Sequence, residues 1–270
     1  MENIKTYSGK GKITVGRGLI NIARDFDGTD DKIVYTLATG QTGFTIVTVA
    51  WWEYLDSNAA YRRAFHLDAG TQDWRLEFDD SWGYAWIVPW TTAPSGRAAW
   101  GITKPTTGSW HHICVTYDGS LTTNAPIMYV NGASQSVTLR SAPGGSLVTP
   151  STSLWISSEN GTGQYFDGRL AEYAIWSGRA LSLGEVEGLA DGFSPLFYPN
   201  NLEFYTPLLG RRTDEADLMY GTAGTLTGTS AIAHPRIIYP SPGMIRRFTT
   251  AVAPSAVTAA TRRMFVGVGI

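Results

Sequence analysis

The chain has 270 residues, 16% of them charged, with 30 Gly, 10 Trp, 13 Tyr, one Cys and a formal net charge of −2. That length can bury a sizeable core in one large β domain or two modest ones, and a lone cysteine excludes an internal disulfide. No apolar run approaches the ~18 residues of a membrane helix, and the polar start after Met1 and Glu2 carries no charged-then-apolar leader, so the expectation is cytoplasmic synthesis without a signal peptide and no membrane insertion.

In chain order, residues 1–22 read as an N-terminal segment. A domain of short alternating strands follows over 23–192. Residues 32–37 (KIVYTL) alternate, and 43–52 (GFTIVTVAWW) form a β-branched and aromatic run. YRRAFHLDA (61–69), WRLEFDD (74–80) and SWGYAWIVPW (81–90) continue the pattern. WHHICVTYDG, PIMYVNGAS, SVTLR, TSLWISSE and GRLAEYAIW complete it. Asp-Gly or Asn-Gly pairs at 27–28, 118–119, 131–132 and 167–168 supply the positive φ angles that tight hairpins need. Strands at this spacing predict a two-sheet antiparallel sandwich. One short helix is expected in RALSLGEVEGLADG. There Ser182 and Glu185 have capping-box spacing, Val186 and Leu189 face the sandwich, and Gly192 ends the helix.

The texture changes after Phe193. Residues 193–240 hold one strand-like core, LEFYT, then a Gly/Thr-rich stretch and the Pro-punctuated HPRIIYP. Prolines keep that lead-in extended. Residues 241–270, low in complexity and apolar at the end, read as a C-terminal assembly arm. After Asp217 the chain has five arginines and no acid, so 218–270 carries +5 and 1–217 carries −7. Arg246, Arg247, Arg262, Arg263 and Phe265 are the candidate arm contacts, suited to an acidic protein surface. Five dispersed arginines without lysine argue against nucleic acid.

Residues 108–120, GSWHHICVTYDGS, place two histidines beside the only cysteine. On a strand, Trp110, His112, Cys114 and Thr116 share one face, and His111, Ile113, Val115 and Tyr117 the other. The histidines therefore cannot converge on one ion. No Cys-x-x-Cys or second histidine pair completes a zinc site, and no orienting third group supports a Cys–His nucleophile. The stretch reads as a packed strand, with no metal site and no catalytic residue.

WHHICVTYDGS and IMYVNGAS resemble the laminin-G-like, concanavalin A-like sandwich family, with its Trp-His-His strand, Tyr-Asp-Gly turn and Tyr-Val-Asp/Asn-Gly hairpin. ARDFDGTDDKIVY (23–35), GFTIVTVAWW (43–52) and YFDGRLAEYAIWSGRALSLGEVEGL (165–189) fall in the family's order. The resemblance implies an all-β, two-sheet antiparallel jelly-roll sandwich with one short helix, here followed by an extended C-terminal arm. Many members bind calcium through loop carboxylates. Asp27, Asp30, Asp31 and Asp167 are the nearest candidates, with a turn-forming role as the alternative, and no cofactor is assigned. The segment LEFYTPLLG…GTLTGTSAIAHPRIIYP is similar to segments that follow such domains in proteins of tailed bacteriophages.

Some sandwiches of this shape are glycosidases, which need two carboxylates ~5–9 Å apart across a cleft. No such pair is assigned: Glu185 and Glu187 belong to the helix, and Asp79 and Asp80 point to opposite faces of their strand, so no enzyme is expected. Trp82, Tyr84 and Trp86 share a face if 81–90 is one regular strand. With Trp90 and Trp100 they are the candidate glycan-binding or interface residues, packed core being the competing reading. The expected function is a non-enzymatic virion structural protein, a phage capsid decoration or tail-associated protein. It would be located in the virion, with other virion proteins and further copies of itself as partners. The alternative is a carbohydrate-binding module for cell-surface or extracellular glycans.

Overall fold

The alternation in the sequence becomes two faces of a sheet. In IVTVAWWEYL, Val47, Val49, Trp51 and Leu55 are fully buried on one side, while Trp52 and Tyr54 stay half-buried on the other. The computed structural model describes residues 22–69, 72–150, 152–210 and 214–240. Arg246, Arg247, Arg262, Arg263 and Phe265 of the expected arm lie outside the described residues, as does nearly all of the N-terminal segment.

The strands are β1 (Ile22–Asp27), β2 (Lys32–Thr36), β3 (Ile46–Leu55), β4 (Arg63–Ala69), β5 (Gln72–Asp79), β6 (Gly83–Pro89), β7 (Arg97–Ile102), β8 (Trp110–Asp118) and β9 (Ile127–Val130). There follow β10 (Ala133–Ser134), β11 (Thr138–Ser141), β12 (Ser153–Ile156), β13 (Asp167–Ser177), helix α1 (Leu183–Ala190), β14 (Leu202–Thr206), β15 (Asp214–Ala216), β16 (Ala223–Thr227) and β17 (Ser230–Ala233). One sheet runs β10-β9-β8-β3-β13-β1-β17, with β14 also paired to β13; the other runs β11-β7-β6-β5-β4-β12-β2-β16-β15. The ladders are antiparallel. This is the sandwich that the alternation predicts.

Aromatic rings fill the space between the sheets. Trp51 stacks on Tyr173 at 5.0 Å and on Phe65 at 6.3 Å, and Phe65 stacks on Trp86 at 5.5 Å. Trp74 meets Trp86 edge-on at 6.1 Å. Helix α1 forms where expected. The Ser182 backbone N–H and hydroxyl both donate to the Glu185 carboxylate, at 2.9 and 3.0 Å. Val186 and Leu189 are buried against the sandwich, and Gly192 takes a φ of 89° just past the end.

Several local expectations change. Of the Gly turns, Asn131 and Gly132 (φ 52° and 79°) close the β9–β10 hairpin as expected. Asp167-Gly168, by contrast, begins β13, where a side chain at Gly168 would strike the Tyr54 carbonyl oxygen. The expected strand 81–90 is broken at its start: Asp79 accepts the N–H groups of Ser81 and Trp82, and Gly83 at φ 80° turns the chain. Over 193–240 the sequence reading has one strand; the structure has four, β14 to β17. Segments such as AGTLT and SAIA have little strand propensity of their own. They form because the edges of β2 and β1 offer unpaired N–H and C=O groups. Both sheets therefore draw strands from beyond residue 192.

Candidate ligand-binding site

Four of the five nominated aromatic residues lie inside the sandwich. Tyr84, Trp86, Trp90 and Trp100 are no more than 3% exposed. The Tyr84 hydroxyl donates inward to Glu53 Oε2 at 2.8 Å, and the Trp90 Nε1–H donates to the Tyr117 hydroxyl at 3.2 Å. No sugar reaches these rings, so they are core and not a platform. Trp82 does not share their face. It packs half-buried over Ala85, Ile87 and Ala99 on the other side of the sheet, because Gly83 interrupts the alternation.

The His-His-Cys strand keeps its two faces. His111 Nε2 lies 2.9 Å from the Thr106 carbonyl and 3.1 Å from the Ser109 hydroxyl, at the strand's entry. His112 points the other way, against Trp52 at 5.4 Å. Burial lowers its pKa to about 3, so it is neutral at physiological pH. Cys114 is fully buried among apolar side chains, and burial pushes its thiol far above the usual range. A thiolate nucleophile does not form there.

That second face is where solvent-facing chemistry gathers. Cross-strand pairing sets Asp25 beside Arg169, Arg169 beside Tyr54, and Tyr54 beside Trp110, a row across β1, β13, β3 and β8. Arg169 lies 4.2 Å over the Tyr54 ring and pairs with Asp25 at 3.3 Å and Asp56 at 3.9 Å. Tyr54 meets Trp110 edge-on at 5.8 Å. Tyr54, Trp110 and Arg169 are half-buried. The next row, Ala171, Trp52 and His112, lies beneath His234. Beyond it, small Ala174 and Ala50 let α1 and the C-terminal segment cover the sheet. The outer face is thus capped at one end and open at the other. Aromatic planes flanked by charged hydrogen-bonding groups are the chemistry that holds a sugar ring.

Asp27, Asp30 and Asp31 bring carboxylate oxygens within 4.8 Å of one another. Asp27 Oδ1 accepts the Thr29 N–H at 2.8 Å, and Asp31 Oδ2 accepts the Asp27 N–H at 3.1 Å, bonds that build the β1–β2 turn. Burial raises the pKa of Asp31, and the charges of Asp27 and Asp30 add to the rise. Hard oxygens in mutual repulsion fit calcium in kind, and these three residues would hold it. Asp167 pairs instead with Arg62 at 3.5 Å.

Sequence reasoning missed a buried ion network on β4 and β5. Arg63 binds Asp73 and Glu77, each at 2.9 Å; Arg75 pairs with the same two carboxylates, and His66 Nδ1 lies 3.1 Å from Asp73. Asp73 and Glu77 do share a face, as a glycosidase pair would. Their carboxylates converge on the same two guanidinium groups, Arg63 and Arg75, and each is engaged in ion pairs. The Asp73 pKa is lowered despite burial, by hydrogen bonding to His66 and by Arg75 and Arg63. An acid held ionised cannot donate a proton to a leaving group.

The model for the concanavalin A-like lectin/glucanases superfamily matches residues 27–187. The chain belongs to that superfamily. Its match begins at the end of β1 and ends within α1, so it spans most of both sheets. Among solved structures, a candidate carbohydrate-binding protein from Bacteroides ovatus superposes with a TM-score of 0.56 at 20% identity, over 81% of this chain and 62% of that one. This lectin-like chain therefore spans less than two thirds of that protein. The heptameric SAP-like pentraxin of Limulus polyphemus superposes with a TM-score of 0.54 at 13% identity, over 81% of this chain and 98% of the pentraxin. At these identities both show the fold alone. No curated protein matches the sequence.

Proposed function

We propose that this lectin-like sandwich is a non-enzymatic glycan-binding module, and that Tyr54, Trp110 and Arg169 form its binding face. The observation that carries the reading is the Asp25–Arg169–Tyr54–Trp110 row, the open end of an outer face that is otherwise covered. The locked Asp73 and Glu77 support a binding role over hydrolysis. The test is a glycan array probed with the wild-type chain and with Tyr54→Ala. The wild type should be retained on a defined set of glycans and the variant should lose them; retention on none, or equal retention by both, overturns the reading.

A second reading, favoured by the C-terminal segment, gives the module its setting: a virion structural protein, a phage capsid decoration or tail-associated component, displaying the sandwich. Residues 234–240 cross the outer face. The Ile238 N–H donates to the Gly192 carbonyl at 2.7 Å, and the Ser194 N–H donates to the Ile238 carbonyl at 2.9 Å. The chain is thus held on the domain up to the point where the Arg-bearing residues 241–270 begin. The resemblance of this region to phage proteins supports the same setting. Its partners would be other virion proteins and further copies of itself.

A further inference from the structure

We infer that His234, carried by the C-terminal segment, is a positioning residue for the ligand face: its imidazole wedges against the indoles of Trp110 and Trp52 and fixes the aromatic plane on which a ligand ring stacks. The inference rests on the glycan reading above for the identity of the ligand, but not for the wedge itself.

His234 follows β17 directly. Its ring centroid lies 5.0 Å from that of Trp110 and 6.2 Å from that of Trp52, edge-on to both. Trp110 thus meets both Tyr54 and His234 edge-on. The wedge is held from both ends. Upstream, Ala233 pairs with Ile22 in the sheet. Downstream, Ile238 bridges Phe193, and the Tyr239 hydroxyl donates at 2.5 Å to Glu172, which also accepts from Tyr205 at 2.6 Å. His234 Nδ1 is bonded to the Pro235 carbonyl, which turns the ring, and buried Nε2 has no hydrogen-bond partner among the described residues. The ring therefore donates only to its own segment, through Nδ1–H, and meets the two indoles as a flat surface. Burial lowers its pKa to about 4, so it is uncharged where a sugar would bind. The ligand face is then built from strands separated by most of the chain's length and is incomplete until the C-terminal segment is in place.

Two variants separate positioning from mere stability. His234→Ala removes the wedge; His234→Phe keeps a flat ring and deletes both nitrogens. Edge-on aromatic contacts of this kind correspond to about a three- to ten-fold effect. His234→Ala should therefore weaken retention of array-positive glycans about three- to ten-fold at temperatures where it remains folded, and His234→Phe should restore it to within about two-fold of wild type. A second probe needs no glycan. N-bromosuccinimide oxidation, mapped by peptide mass spectrometry, should rise at Trp110 and Trp52 in His234→Ala and stay unchanged at core Trp86. Equal affinity in His234→Ala and wild type, or loss that His234→Phe fails to rescue, overturns the inference. If the wild type binds no glycan, the proposed function fails, and the oxidation map alone decides the wedge: a rise confined to Trp110 and Trp52 upholds it, and no rise refutes it.

Discussion

Replacing Glu53 with Gln should remove a pH dependence built into the core. Glu53 sits between the sheets and is fully buried. Its Oε2 accepts from Trp51 Nε1–H and the Tyr84 hydroxyl, each at 2.8 Å, while Oε1 has no partner among the described residues. Burial therefore raises its pKa from 4.5 to about 7, and the two hydrogen bonds offset only part of the rise. The folded state holds a proton that the unfolded chain releases. Its contribution to stability is intact below about pH 4.5 and is lost as pH rises towards 7. The gap corresponds to about 3 kcal/mol. Glu172, also raised to about 7, adds a loss of the same sign. His112 and His234, lowered to about 3 and 4, act in the opposite sense: their contribution is present above pH 6.5 and fades as pH falls. All three groups are common to wild type and variant, so they cancel in the difference. Urea unfolding followed by tryptophan fluorescence should show Glu53→Gln near wild-type stability at pH 4.5 and more stable than wild type by up to about 3 kcal/mol at pH 8. A difference that stays constant across this range, or shrinks with rising pH, would refute the reasoning.

The packing makes three further claims. Trp86→Ala should cost roughly 3–5 kcal/mol in the same unfolding assay while leaving glycan retention per folded molecule unchanged. Cys114→Ala should cost about 1 kcal/mol and leave metal content unchanged, and the wild-type thiol should react with a maleimide only on unfolding; stoichiometric zinc lost with the substitution would contradict this. Removing residues 241–270 should leave a folded, soluble sandwich that no longer joins its particle or oligomer, since every strand among the described residues and the Ile238 and Tyr239 anchors lie before the cut. Normal assembly by the truncated chain, or its failure to fold, would contradict the arm.

Strand alternation made most of the fold legible. β2, β3, β4, β8 and β12 lie within two or three residues of the apolar patterns that mark them, and the Ser182/Glu185 spacing located the helix. β7 (RAAWGI) escaped because alanine and glycine carry little strand propensity and its place is set by pairing with β6 and β11. The aromatic row was misplaced by a single glycine: Gly83 at positive φ turned Trp82 to the opposite face. The binding face was hidden for a different reason. Its residues, Asp25, Tyr54, Trp110, Arg169 and His234, are brought together by non-local strand pairing, which one-strand periodicity does not report. The signal that was available, Trp110 and His112 on the face opposite Ile113 and Val115, identified the correct side of β8 but not its neighbours. The ion network escapes the pattern because the apolar alternation begins at Trp74, one residue after Asp73.

The most direct test of the central claim is a tryptophan indole N–H correlation spectrum of the labelled protein, titrated with a glycan selected on the array. The account predicts that the signals of Trp110 and Trp52 move with saturation while those of buried Trp51, Trp74 and Trp86 stay fixed. Movement of Trp82 or of the buried indoles with Trp110 unmoved, or no movement of any indole with any glycan, would contradict it.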